Sequence, residues 1–269
     1  MSLNKRIDQA RAGFAKGDKN LSAAAHDPKM IRKAMEDHAG EESQFLGEVI
    51  YGGLDGIITT FAVVSGVAGA NLGANVILIM GLANLFADGF SMATGAYLST
   101  KSEQEYYERE RQREAWEVDH FPEGEKAELL EMYKHQGYSE EDAHKLVEIK
   151  SQDRELWVNA MMLEELNMLK DESNPFHNAL ATLISFILAG SVPLLIYLLG
   201  LFITIPSGVS FPMSLGLSGL ALFGLGAAKV RVTQNNPWRS GIEMLLVGGL
   251  AAGVAYLVGA LLKGIGGGA

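Results

Sequence analysis

Five long apolar stretches decide what this chain can fold into. Residues 49–70 and 76–98 each carry a single charged side chain, Asp55 in the first and Asp88 in the second. Residues 178–203, 209–228 and 241–262 are similarly apolar. A helix needs roughly 20 mostly apolar residues to cross a bilayer. In lipid each backbone polar group must be satisfied inside the segment, which helices achieve. The expected fold class is therefore all-α: a polytopic membrane protein with five transmembrane helices and a helical insert between spans two and three. Gly52/Gly56 and Gly249/Gly253 have small-xxx-small spacing, which suits close helix–helix packing in such a bundle.

Charge is partitioned as sharply as hydropathy. Residues 48–100 hold 3 acids and no base, whereas residues 101–175 hold 21 acids and 10 bases. The net charge of −10 thus sits almost wholly in one central block. Four regions follow: an N-terminal segment 1–47 with a short amphipathic helix, spans one and two over 48–100, an acidic helical block 101–175, and spans three to five over 176–269. No basic surface exists for a nucleic acid. Cysteine is absent, which excludes disulfides, zinc fingers, iron–sulfur clusters and thiol nucleophiles. A metal site here must use oxygen, imidazole or thioether ligands. The polar first 47 residues offer no apolar core for a cleavable signal.

The loops give an orientation. Basic residues cluster in the N-terminal segment, after span two (Lys101, Arg109, Arg111, Arg113) and between spans four and five (Lys229, Arg231, Arg239). The positive-inside rule places all three in the cytosol, with the C-terminus outside. Within the acidic block, residues 101–120 extend span two until Pro122 stops the helix. A short helix over 123–136 follows, then Ser139 and Asp142 in capping-box spacing, then one longer helix over about 140–170. Asp27–Pro28 reads as an N-cap and first helical residue, opening a helix of about ten residues.

An ionisable group inside a span costs at least roughly 2.5 kcal/mol, so Asp55 and Asp88 need a reason. Asn84, Asp88 and Met92 recur every four residues, placing an amide, a carboxylate and a thioether on one stripe of span two. With Asp55 and Thr59 on span one, they would form a polar path for a divalent cation. The thioether favours transition metals over Ca2+ or Mg2+. In the acidic block, Glu110, Glu114 and Glu117 share a helical face, as do Glu125 and Glu128, while Met161, Met162 and Glu165 cluster further on. A charge run of this kind is most simply a solvated face. Glu117…His120 and Glu141…His144 have the Glu-x-x-His spacing of di-iron bundles. The block lacks the four long helices which that site requires.

Gly53-Leu54-Asp55-Gly56, Ser91-Met92, Tyr97-Leu98 and Lys101-Ser102-Glu103 together resemble the vacuolar iron transporter family, as does the order of two spans, acidic insert and three spans. The similarity runs over roughly residues 48–262. It implies a homodimer of five-span protomers exporting Fe2+, and Mn2+ as well, from the cytosol in exchange for protons. It implies a secondary transporter rather than an enzyme, with no cofactor beyond Fe2+ or Mn2+ as bound and transported ions. Asp55 and Met92 would line the path, joined by Asp88 and Asn84. Glu114, Glu117, Glu125, Glu128, Met161, Met162 and Glu165 would make the insert a metal-binding domain. Asn84 stands where eukaryotic-type members have a glutamate, and Asp88 one turn along replaces a small residue. The polar N-terminus and lack of sorting signals fit a prokaryotic cytoplasmic membrane. A membrane-anchored iron sensor or ferroxidase that does not transport is the alternative; it would tolerate loss of Asp55.

Overall fold

A computed structural model describes residues 3–28, 41–230 and 236–263. The helix expected after Asp27–Pro28, Arg231 and the glycine-rich tail fall outside them. The described residues are predominantly helical, without strands. Five helices are long and apolar enough to cross a membrane. The chain divides into two compact units: residues 1–96 with 176–269, and residues 97–175.

In the first unit, α1 (Leu3–Lys16) and α2 (Lys19–Ala25) form a short helical pair ahead of the spans. The sequence reading did not place them. Their junction carries the signal, however: Gly17 has φ +64°, and Asp18 caps α2 by accepting from the Asn20 and Leu21 amides. The spans are α3 (Glu41–Gly69), the first half of α4 (Ala74–His120), α8 (Pro175–Gly190) with α9 (Leu195–Leu199), α10 (Ser207–Ala228) and α11 (Pro237–Leu262).

The third span is broken rather than continuous. Pro193 has no amide hydrogen to continue the ladder, and the chain makes a tight turn over Val192–Leu194. The Ser214 hydroxyl donates to the Pro193 carbonyl at 2.6 Å, so α10 satisfies that carbonyl at the break. Apolar side chains fill two clusters. One joins Val64, Ile77, Leu85, Phe186 and Leu194. The other joins Leu54, Ile57, Phe61, Leu222 and Ala252.

Glycines set the close approaches, though not all the expected ones. Gly52 faces Thr182 and Ser185, and Gly56 faces the Phe186 carbonyl, so this pair packs α3 onto α8. Gly249 and Gly253 meet nothing within 4 Å. The tight contacts between α11 and α3 are instead Gly259 on the Gly66 carbonyl and Gly69 on the Tyr256 carbonyl.

The second unit contains the remainder of α4, then α5 (Pro122–His135), α6 (Glu140–Lys150) and α7 (Arg154–Ala160), which runs into a wide π turn, Met161–Glu165. Pro122 opens α5 at its first turn, where a missing amide costs nothing. Ser139 caps α6 by accepting from the Asp142 amide at 3.2 Å. The single helix expected over 140–170 is three pieces. It stops at Lys150, and Asp153 caps the restart by accepting from the Leu156 amide at 2.9 Å. Val118, Leu129, Tyr133, Ala143, Val147, Trp157, Val158, Met161 and Met162 form the core of this unit.

Candidate metal centre

The apolar stripes of the insert end in carboxylates. On α4, Glu114 precedes core residue Val118 by one turn. On α5, Glu125 precedes Leu129 and Tyr133 at the same four-residue interval. Helical periodicity therefore turns both glutamates toward the core. Glu165 closes the π turn that begins with Met161 and Met162. An α-helix widened to i+5 bonding shifts the side chains after it, and such turns recur at functional sites.

One ligand oxygen each from Glu114, Glu125 and Glu165 lies within 4.8 Å of the others. Glu114 is 1% exposed and Glu125 5%, while Glu165 is more open. Neither Glu114 oxygen has a hydrogen-bond partner, and Glu125 Oε2 has none either. A buried carboxylate is strongly unfavourable unless it is paired, and Glu114 has the Arg113 guanidinium beside it. Burial, with the Glu165 charge nearby, pushes the Glu114 carboxyl up to about 7. Burial and the Glu114 charge push Glu125 to about 7 as well. Glu165 is raised by burial and by Glu128.

Glu117 and Glu128 add their charges to the same cluster. Five of the glutamates singled out in the sequence thus come together electrostatically. Met161 and Met162 are fully buried in the apolar core of the same unit. Three or more carboxylates converging from separate elements suit a hard or borderline divalent cation. The sequence reading took Arg113 only as one of the basic residues that set the orientation. Its guanidinium reaches Glu110, Glu114 and Glu117.

In the spans, Asp55 lines a cavity of about 450 Å³ with Tyr51, Leu54, Ile58, Lys229 and Met244. Asp55 and Asp88 are near enough for their charges to act on each other, although they come from different helices. Asn84 Nδ2 donates to Asp88 Oδ2 at 2.9 Å, as the shared stripe led one to expect. The Thr59 hydroxyl bonds the Asp55 carbonyl rather than its carboxylate, at 2.9 Å. Met92 is half-buried and packs on the cluster of Leu85 and Phe186. Of the four residues expected on the path, Asp55 lines this cavity, whereas Met92, Asn84 and Asp88 do not. Glu48, two turns before Asp55, accepts from the Thr182 hydroxyl at 3.0 Å. Its position as the next acid on span one was the available signal.

The model of the VIT family matches residues 46–260, which takes in all five spans and the insert. A vacuolar iron transporter of Toxoplasma gondii is 36% identical over 267 residues, 96% of this chain and 88% of its own length. One of Plasmodium berghei is 34% identical over 269 residues, 98% of each chain. The chain belongs to the VIT family. Vacuolar iron transporter 1 of Arabidopsis thaliana, at 31% identity over 86% of this chain and 93% of its own length, is a further VIT relative. The resemblance read from the Asp55 and Met92 segments is therefore correct, and the VIT protein described here is an integral membrane protein of a transporter family. The two long matches also extend into the N-terminal segment, for which the sequence reading found no counterpart.

Proposed function

We propose that this VIT-family protein exports Fe2+, and also Mn2+, from the cytosol in exchange for protons. The acidic insert captures the cation on the cytosolic side and the spans carry it across. The names of its relatives support metal-ion transport. The observation that carries the capture step is the convergence of two buried carboxylates, Glu114 and Glu125, with Glu165, against a single guanidinium, Arg113. One guanidinium leaves these carboxylates short of positive charge, and a divalent cation supplies it.

Glu117 and Glu128 raise the local cation concentration, and Met161 and Met162 are the softer donors available at the core side. Oxygen ligands hold Fe2+ and Mn2+ loosely enough for release. Intrinsic affinity would favour Cu2+ and Zn2+, so selection rests on geometry and on which metal the cytosol supplies. In the spans, Asp55 and Asp88 form the acidic step of the path, with Asn84 orienting Asp88 and Met92 as the thioether donor. Desolvation disfavours a lone charged carboxylate. A proton on Asp55 is therefore exchanged for the cation, which couples the two fluxes. The working unit is a homodimer.

The test is Fe2+ uptake into acid-interior proteoliposomes under anaerobic conditions, with Mn2+ and Zn2+ alongside. Uptake that needs the pH gradient and disappears in Asp55→Asn supports antiport. An insert that binds metal while neither protein moves it would replace this reading with the non-transporting sensor or ferroxidase.

A further inference from the structure

Arg113 is held by three carboxylates of its own helix. Its Nε lies 3.0 Å from Glu110 Oε2, Nη2 lies 2.5 Å from Glu114 Oε1, and Nη1 lies 2.5 Å from Glu117 Oε2. Two of these three are glutamates of the metal centre. The other described arginines of the insert are used differently. Arg154 grips Asp119, Arg111 pairs with Glu155, and Arg109 holds Glu110. Among the described residues, Arg113 is the arginine paired with the converging carboxylates.

We propose that Arg113 is a built-in competitor: a tethered monovalent cation that occupies Glu114 and Glu117 and must be displaced before a divalent metal binds. The inference rests on reading the carboxylate cluster as the metal centre. Three features separate a competitor from a residue that only orients ligands.

The first is alignment. An orienting arginine donates well-directed N–H groups to the outer lone pairs of a carboxylate. Arg113 donates such N–H groups to Glu110 and Glu117, but at the buried Glu114, the carboxylate that converges with Glu125 and Glu165, it lies close while both oxygens lack a hydrogen bond. The Glu114 contact is one of charge. The second is freedom to leave. The Arg113 side chain is 43% exposed, and a long arginine stem can carry its head group into water while its methylenes stay packed. The third is what remains behind. Glu110 keeps Arg109 at 3.0 Å when Arg113 swings away, so release uncovers Glu114 and Glu117 without stranding Glu110.

The consequence is selection by charge. A monovalent ion such as K+ offers the cluster no more charge than the guanidinium already does, and it is not tethered. A divalent ion brings twice the charge into the same space and prevails. The competitor also limits affinity, which favours passing the ion on.

The experiment uses the full-length protein in detergent with Mn2+ as the probe, titrated calorimetrically with and without excess K+. Arg113→Gln is expected to lower the Mn2+ Kd by roughly three- to fivefold, the factor an exposed ion pair commands, and to make K+ a measurable competitor. Arg113→Lys, which keeps the charge and most of the stem, is expected to bind Mn2+ and reject K+ as the wild type does. It also keeps the test open should the glutamine variant fold poorly. An Arg113→Gln affinity equal to or weaker than wild type would overturn the proposal, as would K+ sensitivity in Arg113→Lys. Glu114→Gln/Glu125→Gln separates the two levels. If that pair leaves the Mn2+ isotherm unchanged, the metal centre itself is misplaced and the competitor falls with it. If the pair abolishes binding while Arg113→Gln changes nothing, only the competitor is refuted.

Discussion

Glu114 and Glu125 are acids placed on the core-facing stripes of their helices. An ordinary glutamate has a reference value of 4.5, and burial carries both to about 7 in the folded insert. Between those values the folded protein holds protons that the unfolded chain has already released. By linkage, metal-free stability should fall as pH rises from about 4.5 to about 7 and level off beyond it. Metal binding removes those same protons, so stabilisation by Mn2+ should grow through the same window. Melting curves followed by tryptophan fluorescence at pH 5.5 and 7.5, with and without Mn2+, check both slopes. A metal-free melting temperature that climbs across the window would contradict the burial argument. Glu114→Gln should raise the metal-free melting temperature at pH 7.5 and weaken Mn2+ binding by at least about tenfold. These roles were only partly legible in the residues. Spacing put Glu110, Glu114 and Glu117 on one face, which reads equally as a solvated surface. The family resemblance singled out Glu114, Glu125 and Glu165, which lie together in the structure. Their meeting depends on contacts between α4, α5 and the π turn that no local pattern encodes, and Arg113 was hidden among neighbouring charges of both signs.

At the scale of elements, the strongest signals were the ones that propagate along a helix. The uninterrupted α4 and its stop before Pro122 follow from apolar length, then charge, then proline chemistry. The breaks were harder. Ser151-Gln152-Asp153 is a C-terminus and a new cap, but it lies inside a helical pattern, so the 140–170 stretch read as one element. The π turn has no sequence signature, because it is a change of hydrogen-bond register imposed by packing. The third span breaks at Pro193 where apolar length alone suggested continuity. Glycine spacing likewise named candidates without choosing among them. The structure distinguishes them, and the distinction is testable. Gly259→Val would drive a side chain into the Gly66 backbone and should abolish monodisperse protein on size exclusion. Gly249→Val, with nothing within 4 Å, should leave the profile unchanged. Ser139→Ala removes the cap of α6 and should cost the insert about 1 kcal/mol, read as a lower melting temperature.

The whole molecule combines a charged unit and an apolar unit, and both were visible in the partition of charge along the chain. Family membership extends across both, since the VIT match spans residues 46–260. Division of labour then predicts separable defects. Asp55→Asn should stop flux while leaving Mn2+ binding by the insert intact, because Asp55 lies outside the carboxylate cluster. Changes in the insert should do the reverse, altering how much metal is needed without altering the fastest rate the spans can sustain. The most direct measurement is the Fe2+ concentration dependence of uptake into acid-interior proteoliposomes, comparing wild type with Glu114→Gln/Glu125→Gln. The account predicts a half-saturating concentration raised by about tenfold or more, with the maximal rate retained. Superimposable saturation curves would contradict it, because the buried carboxylates would then have no part in delivering the ion.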